Sequence, residues 1–574
     1  MVNEKNIDVD VEATVPVHTT KQEGSLAARI LDPQSWSRKE YLFLTGGILT
    51  QAIMYAFEVN LMYGCIGNIT GIFKASSLSS ILPTILQILS AALVPFYTKV
   101  SDVTGRAQAL TFAMFFYLVG YTIQGTSNDF LQFALGQIAY GIGSTGMATL
   151  TQVLIADTTI LINRGIVFAL WDLPSGAMIF ITNPLINPLS NVVMYPDLNW
   201  RIVYLIIGLV ALFGAIAVLT PLWYLQRRGE RKFKASGEVI PRRSIRWLLH
   251  EFDTVGALLI TLGMSLTLLP MILARTFDGN WSNPSILAMF ICGVIFLILL
   301  VVWEVKYTDR PIMSMKIWGN RTAFGGLVVG FVMTVMASMN WQYYTLYLVI
   351  SRDIDFQYAL LLERGYQLAY LVFQFGTALL MKRFNTLRPF IWVGIVVHTI
   401  GIGLMIPARH PDSSDFFVVI TQTIVGAAGG MAAIASSVAV TGVVAKKDLA
   451  TVIGATQLMG SFGSAFGSAL SGGIWTQYLP GRLAVHITGP YDETLAMNDP
   501  LFYIPSLDPV TRRQLVEAYS DSQKLMSIIS CSIAVVACFC AFMMQHVDLK
   551  QDQEQQDRIA NGTYEKELIE EVKN

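Results

Sequence analysis

Residues 98–107 read TKVSDVTGRA, a short charged segment between two apolar stretches that are each long enough to cross a bilayer. Gly105 gives this segment the backbone freedom that a tight turn needs. Asp102 and Arg106 stand where a carboxylate can meet a helix N-terminus and where a cation can meet lipid headgroups or another helix end. The segment therefore predicts a tight turn at a membrane edge, between two membrane-spanning helices.

The composition indicates an all-α membrane protein. Only 14% of the 574 residues are charged and 53% are hydrophobic, whereas a soluble globular chain carries about 25% charged residues. The five cysteines show neither the spacing of a zinc site nor a readable disulfide framework, so we expect no metal site and no cofactor. No constellation of catalytic residues is recognisable either, and we do not expect an enzyme.

Apolar stretches of membrane-spanning length predict about fourteen transmembrane helices, since each crossing needs about 20 mostly apolar residues. Thirteen remain if one weak stretch is only re-entrant. The stretches are 41–66, 79–97, 108–123, 131–154, 165–186, 203–225, 254–273, 286–305, 325–350, 365–381, 389–406, 416–444, 452–475 and 526–544.

The distribution of Lys and Arg orients these helices. Eight basic residues lie between positions 227 and 246, after the sixth stretch, and the positive-inside rule places them in the cytoplasm. Arg352 and Arg364 are exceptions on the opposite side. An even number of spans then places both termini in the cytoplasm. The expected units are a disordered N-terminus (1–40), a six-helix bundle (41–226), a basic loop (227–252), two extra helices (253–321), a second six-helix bundle (322–545) and an acidic tail (546–574).

Three titratable side chains lie inside predicted spans, where such groups are costly and therefore candidates for function. They are Glu58, Asp172 and His398, and each is a possible proton carrier. Other roles stay open for all three. Glu58 could reach the outer headgroups, Asp172 could pair with a neighbouring helix, and His398 could be a structural, hydrogen-bonded histidine.

The ninth span ends in a run of aromatic and amide side chains. This run suits a cavity that grips a bulky polar solute, and it equally suits an aromatic belt at the outer membrane boundary. Its candidate solute contacts are Trp341, Gln342, Tyr343, Tyr344 and Tyr347.

The segment 98–107 resembles the loop after the second helix of the major facilitator superfamily, whose pattern is Gly-x-Leu-Ala-Asp-Arg-x-Gly-Arg. Asp102, Gly105 and Arg106 match this pattern, whereas Thr98 and Val103 depart from it. The fourth span has Gln137 where many drug:proton exporters of the superfamily have an Arg, which argues against a drug:proton antiporter, although a fourteen-helix antiporter stays among the alternatives.

Several longer stretches resemble the fungal siderophore iron transporters, the branch of this superfamily with fourteen helices arranged as six, two and six. They are SDVTGR at 101–106, GIGSTG at 141–146, IAD at 155–157 followed by Asn163-Arg164, FDxxG at 252–256 before Leu269-Pro270, and SALSGGIWT at 468–476. Together with the span count, the resemblance covers residues 40–545.

This resemblance implies proton-coupled import of ferric-siderophore chelates by a rocking motion of the two six-helix bundles. It implies an inner latch in which Asp157 and Arg164 join Asp102, Gly105 and Arg106. It also implies that the long outer loop 477–523 contacts the chelate. A helix is expected over 508–525, which favours an ordered lid. The candidate contacts in this loop are Tyr491, Tyr503, Arg512, Arg513 and Tyr519.

The expected partners are a ferric-siderophore or similar small solute, protons and the lipid bilayer, without nucleic acid, and the protein is expected to act as a monomer. The plasma membrane is the expected location, with the endosomal or vacuolar membrane as the alternative. Other functions that stay open are proton-linked transport of glutathione or haem by the same fold, and a nutrient sensor that does not transport.

Overall fold

The computed structural model describes residues 30–31, 36–73, 76–159, 161–190, 199–235, 253–308, 319–444, 449–545, 547 and 549–550. These residues form helices and turns, and no strand occurs among them. The N-terminus before position 30, most of the basic loop 227–252 and the tail after position 550 lie outside the described residues.

The first six predicted spans correspond to seven helices. The fifth span is divided at Leu173, because Pro174 has no backbone N–H to continue the helix before it and begins a new helix instead. The helices are α1 (Arg38–Ile72), α2 (Ile81–Thr104), α3 (Arg106–Gly125), α4 (Phe130–Thr158), α5 (Leu161–Asp172), α6 (Pro174–Ser190) and α7 (Asn199–Ala235).

The two extra spans and the second bundle follow in the expected order. The ninth span is built from two consecutive helices, and a short helix precedes the tenth. The helices are α8 (Thr254–Leu273), α9 (Pro284–Lys306), α10 (Arg321–Trp341), α11 (Tyr344–Arg352), α12 (Phe356–Glu363), α13 (Gly365–Phe384), α14 (Arg388–Ala408), α15 (Asp415–Gly442) and α16 (Leu449–Gly473).

The long loop before the last span is ordered. A π-helical turn (Ile474–Tyr478) leads into α17 (Leu479–His486), which is followed by α18 (Glu493–Asn498), α19 (Pro500–Tyr503) and α20 (Pro509–Met543). The helix expected over 508–525 is confirmed, and it continues without a break into the last span. Asp508 begins this long helix by accepting hydrogen bonds from the backbone N–H groups of Val510 and Thr511 at 3.1 and 3.0 Å.

Every one of the fourteen predicted spans is thus a helix or a pair of helices. Eleven helices of the described chain are long and apolar enough to cross a membrane by length and composition alone. The remaining three spans, built on α3, α13 and α16, are less apolar, because Tyr and Gln, or Gly and Ser, replace aliphatic residues along them.

The tight turn predicted at Gly105 is confirmed. Gly105 is the single residue between α2 and α3, its φ is +106°, and its N–H donates to the carbonyl of Ser101 at 3.1 Å. A side chain at this position would be strained, because L-residues rarely adopt such a φ.

The helices form two halves, each with its own apolar core. α1–α7 enclose one core. α10 with α13–α15 and the last span enclose a second, to which α5 adds Ala169, and a third apolar cluster joins α11 and α12 to the segment 474–526. α8 packs on α2 and α16, and α9 packs on α8 with most of its side chains facing outward. We call the end of the molecule with the Gly105 turn the basic end, and the end with residues 477–508 the lid end.

Candidate functional site between the two halves

At the lid end, hydrogen bonds cross from one half to the other. The hydroxyl of Tyr63 in α1 donates to Glu363 Oε1 in α12 at 2.7 Å, and the guanidinium of Arg364 lies 5.1 Å from the centre of the Tyr63 ring. The hydroxyl of Tyr343 donates to the carbonyl of Ser77 at 3.1 Å. The lid end is therefore closed by polar contacts in which Glu363, Arg364 and Tyr343 are buried, while Tyr63 is 39% exposed.

In the middle of the molecule, two amide side chains of the second half reach the first half. Gln374 Nε2 donates to Asp172 Oδ2 at 2.9 Å, and Gln457 donates to Gln152. Asp172 is thus a half-buried carboxylate on the interface between the halves. Its partner on the neighbouring helix is an amide of the other half, and the proton-carrier role of Asp172 stays a prediction.

At the basic end, the ion cluster of the predicted latch lies within the first half. Arg106 Nη2 contacts Asp102 Oδ1 at 2.8 Å and Asp157 Oδ2 at 3.0 Å, and the guanidinium also bonds to Ser101. Arg164 is buried nearby and contributes to the electrostatic environment of Asp157. The cluster ties α2, α3, α4 and α5 of one half together.

Small and apolar groups make the contacts that cross between the halves at the basic end. A Cβ on Gly454 of α16 would lie 3.3 Å from Thr98 Cγ2 of α2. Ile453 of the same helix packs with Val153 and Ala156 of α4. The two halves therefore touch at both ends, by hydrogen bonds at the lid end and, towards the basic end, by van der Waals contacts that lie beside the hydrogen bond from Gln457 to Gln152.

Glu58 lies inside the first half rather than on the interface. Its side chain is 1% exposed and accepts hydrogen bonds from the hydroxyls of Tyr117 and Tyr121 in α3 and, at 3.3 Å, of Tyr140 in α4. His398 is likewise buried inside the second half beside Gly429, and its Nδ1 has no hydrogen-bond partner among the described residues. Of the three predicted proton carriers, only Asp172 joins the halves.

The aromatic run of the ninth span divides between two surroundings. Trp341 is half-buried, with its ring 4.2 Å from that of Tyr366 and its Nε1 donating to Gln422 at 3.2 Å. Gln342 is half-buried at the junction of α10 and α11. Trp341 and Gln342 thus end the long helix of the span.

The three tyrosines of the same run are buried under the lid. Tyr343 stacks on Trp475 at 4.2 Å with the ring planes 6° apart, and the guanidinium of Arg409 lies 3.3 Å from the Tyr344 ring. The Tyr347 hydroxyl donates to the Arg409 carbonyl at 2.6 Å. Tyr343 thus contacts the segment that leads into the lid, and Tyr344 and Tyr347 contact Arg409 after α14.

The candidate contacts of the lid separate into buried and surface groups. Tyr519 is buried and donates to the Ala496 carbonyl at 2.5 Å, and the Tyr503 hydroxyl accepts from the backbone N–H of Asp492 at 2.7 Å. Two arginines form ion pairs near the surface, Arg512 with Asp353 at 2.6 Å and Arg513 with Asp412 at 3.2 Å. Tyr491 is half-buried and packs against the third apolar cluster, which joins α11 and α12 to residues 474–526.

The sequence reasoning missed the buried charges at the lid end, which are Glu363, Arg364 and Arg409. A signal was present, because Arg364 stood out as a cation on the side of the membrane that is poor in Lys and Arg. A charge that violates the orientation rule next to a carboxylate points to a buried polar contact rather than to a loop.

The model of the Major Facilitator Superfamily matches residues 48–358 and 330–491 of this chain. The chain belongs to this superfamily. The structure agrees, since the proton:xylose symporter XylE, solved with 6-bromo-6-deoxy-D-glucose, aligns with 87% of this chain and 95% of its own at a TM-score of 0.51 and 14% identity. At that identity the likeness establishes the fold alone, and the protein is a multi-pass integral membrane protein of the major facilitator fold.

Three sequence relatives within the superfamily are fungal proteins. Siderophore transporter fer7 of Mycosarcoma maydis is 27% identical over 85% of this chain and 77% of its own length. Siderophore iron transporter mirC of Emericella nidulans is 27% identical, over 80% and 76%. Low affinity heme transporter str3 of Schizosaccharomyces pombe is 24% identical, over 90% and 84%.

Proposed function

We propose that the protein imports ferric-siderophore chelates by proton-coupled secondary transport, as a monomer in the plasma membrane. The observation that carries this proposal is the similarity to named siderophore transporters over 80 to 85% of the chain. The iron stays inside its chelator, so it is cargo, and the protein needs no metal ligands of its own.

The interface between the halves supports the coupling part of the proposal. A rocking transporter must break contacts at one end while it forms them at the other. Asp172 offers a carboxylate at that interface, and its partner Gln374 lies in the opposite half. A proton on Asp172 changes this contact only where the halves meet, so protonation favours one arrangement of the halves over another.

The lid supports the recognition part. Residues 474–526 carry an ordered apolar cluster with Trp475 and Tyr519 at its centre, 5.0 Å apart. Two arginines of α20, the half-buried Arg512 and the exposed Arg513, form ion pairs with the exposed carboxylates of Asp353 and Asp412. Such a surface offers aromatic and cationic contacts to a large chelate.

Uptake into proteoliposomes tests the proposal. The purified full chain is reconstituted, an inward proton gradient is imposed, and uptake of radioactive iron is followed for hydroxamate chelates of different shapes. We expect gradient-driven uptake of at least one chelate, abolished by a protonophore and unchanged by free ferric citrate. Absence of uptake for every chelate, with the protein shown to be folded, contradicts the proposal.

Haem is the second candidate substrate, because a haem transporter is similar to this chain over 90% of its length. Haem carries two carboxylates and an apolar ring, whereas hydroxamate chelates expose many carbonyl and amide groups. Haem added outside the same proteoliposomes distinguishes the two substrates. Gradient-driven uptake of haem without uptake of any chelate favours haem transport.

A further inference from the structure

The last turns of α7 carry a row of exposed cations at the basic end. Within the part of the chain that the structure describes, no carboxylate forms an ion pair with any of them. We call this set the basic row, and its members are Arg227, Arg231, Lys232 and Lys234. Four cations on about two turns of one helix make this the densest positive surface of α7.

The carboxylates nearest to the basic row are engaged elsewhere. Glu40 of α1 pairs with Arg228, which is half-buried beside the row. Glu230 accepts from Gln226 Nε2 at 3.0 Å, and Gln226 in turn accepts from the backbone N–H of Ala107 at 2.9 Å, next to the Gly105 turn. These contacts tie the buried side of α7 to α1 and α3, and they leave the outer side of the helix positive.

The basic row begins directly after the part of α7 that crosses the membrane. α7 has 37 residues, so it is longer than the bilayer is thick, at about 1.5 Å per residue. Its apolar part ends at Trp223 and Tyr224, and these residue types lie at the level of the lipid headgroups. Arg227 lies about 4.5 Å and Arg231 about 10.5 Å further along the helix axis than Tyr224. The row therefore extends from the headgroup layer towards the water.

The aromatic end of this face is fixed in position. Trp223 Nε1 donates to Thr111 Oγ1 of α3 at 3.1 Å, and the guanidinium of Arg227 lies 5.0 Å from the centre of the Trp223 ring. An outward-facing groove runs along α7 over Trp223, Tyr224 and the cations as far as Lys232. Such a groove combines an apolar wall beside the acyl chains with cations beside the headgroups, which is the chemistry of an anionic phospholipid.

The length of the basic row distinguishes between anionic lipids. A headgroup with one phosphate stays near Arg227, whereas an inositol ring that carries further phosphates reaches towards Arg231 and Lys232. Guanidinium groups bind phosphate oxygens in pairs. The positive-inside rule places this end in the cytoplasm, where clusters of four or more Lys and Arg next to a span are typical of sites for such lipids.

We propose that the outer face of α7, from Trp223 to Lys234, binds a multiply phosphorylated inositol lipid of the cytoplasmic leaflet, with Arg227, Arg231 and Lys232 on its phosphates. The site lies outside the space between the halves and does not depend on the solute that is transported. Because the buried side of the same turns contacts the start of α3, the bound lipid stabilises the packing of α7 on α3.

Native mass spectrometry of the purified full chain in detergent tests this by counting bound lipids. Phosphatidylinositol 4,5-bisphosphate, phosphatidylserine and phosphatidylcholine are titrated separately, and the unfolding temperature is measured in the same mixtures. The test variants are Arg227→Gln and the triple variant Arg227→Gln/Arg231→Gln/Lys232→Gln. The matched control is Lys306→Gln/Lys382→Gln/Arg383→Gln, which removes three exposed cations from the ends of α9 and α13.

We expect the parent to bind one molecule of the bisphosphate lipid more tightly than phosphatidylserine, and to unfold at a higher temperature when it is bound. Each cation beside an anionic headgroup strengthens binding about fivefold. Arg227→Gln should therefore bind this lipid about fivefold more weakly, and the triple variant at least about tenfold more weakly and without the rise in unfolding temperature. The control variant should keep both the bound lipid and the rise.

Three results overturn the proposal. Equal losses in the triple variant and the control variant would mean that the lipid follows the total charge of the basic end rather than the face of α7. Free inositol trisphosphate that binds as tightly as the lipid would identify a soluble ligand. A parent that retains no lipid favours the acidic tail 546–574, whose charge is opposite, as the segment that covers the face. If the triple variant fails to fold, an unchanged affinity in Arg227→Gln overturns the proposal by itself.

Discussion

The two ends of the molecule hold their charges in different ways. At the basic end, Arg106, Asp102 and Asp157 form a buried ion cluster, and all three belong to the first half. At the lid end, Glu363 of the second half accepts from Tyr63 of the first. The ion cluster can therefore stay intact while the halves move, whereas the bond at the lid end must break.

This difference separates the predicted latch residues, which all lie in the first half, from the contacts that cross between the halves. A buried ion pair that loses one partner leaves an uncompensated charge, which is costly, so such a cluster suits a brace that never opens. Contacts that open in every cycle are cheaper to break when they are single hydrogen bonds or van der Waals contacts, as between Thr98 and Gly454.

The largest expected effect is on the brace. Arg106→Gln leaves Asp157, 12% exposed, without its buried cation, and losing one partner of a buried pair costs about 3–5 kcal/mol. We expect a strong loss of stability in thermal unfolding of the purified protein, followed by tryptophan fluorescence. Arg512→Gln, which removes an exposed pair, is the matched control and should change little. A stable Arg106→Gln protein with altered gating would instead make the cluster part of the gate.

The second prediction compares two carboxylates of the first half, Asp172 and Glu58. Asp172→Asn removes the charge at the interface with Gln374, and we expect iron-chelate uptake to lose its dependence on external pH while the amount of protein at the cell surface stays normal. Glu58→Gln is the comparison, because Glu58 is enclosed by tyrosines within one half. If Asp172→Asn kept the pH response of the parent, Asp172 would have no coupling role.

A smaller effect is expected from a substitution that disturbs the contact between the halves at the basic end. In Gly454→Val, the added Cβ lies 3.3 Å from Thr98 Cγ2, and such overpacking costs about 1–3 kcal/mol. Because this strain exists only when the basic end is closed, we expect the open state there to gain about fivefold or more. Thr451→Cys places a reporter thiol in the crevice beside Asp102. This thiol should react faster with a water-soluble maleimide when Gly454→Val is present than when it is absent.

Gly460→Val is the control in the same helix, since its Cβ would lie 3.9 Å from Thr334 within the second half. We expect its maleimide reaction rate to equal that of the parent. Equal rates in Gly454→Val and Gly460→Val would show that the approach of α16 to α2 does not close the basic end.

The parts of this architecture that the sequence predicts are local ones. Gly105 could be read as a turn because its neighbours end and begin helices, and the spans follow from runs of apolar residues. The bond between Tyr63 and Glu363 could not be read, because it joins positions 300 residues apart. A single sequence does not say which faces of two helices meet.

The surroundings of the aromatic run in the ninth span could not be predicted from the sequence either. Its composition suits a solute cavity or an aromatic belt, and in the structure Tyr343 stacks on Trp475 while Tyr344 and Tyr347 contact Arg409. More of the Glu58 site could be predicted from the sequence, because Tyr117 and Tyr121 are four residues apart and must share one face of α3. Their common target on α1 still depends on the tertiary packing.

The smallest expected effect is at the lid surface. A hydrogen bond from Arg512 holds the pKa of Asp353 below its ordinary range. A lowered pKa in the folded state means that the pair stabilises the fold at pH above the ordinary Asp range and that this stabilisation is lost as the pH falls through the lowered pKa. Asp353 is 76% exposed, so the contribution stays within about 1 kcal/mol.

Unfolding of Asp353→Asn against pH checks this point. The variant should be slightly less stable than the parent near neutral pH, equal to it in strong acid, and closer to it at high salt, because exposed pairs are screened. The lid should remain docked throughout, since the stack of Tyr343 on Trp475 is buried and carries no charge. A loss as large as that of Arg106→Gln would mean that surface ion pairs, rather than this aromatic stack, hold the lid in place.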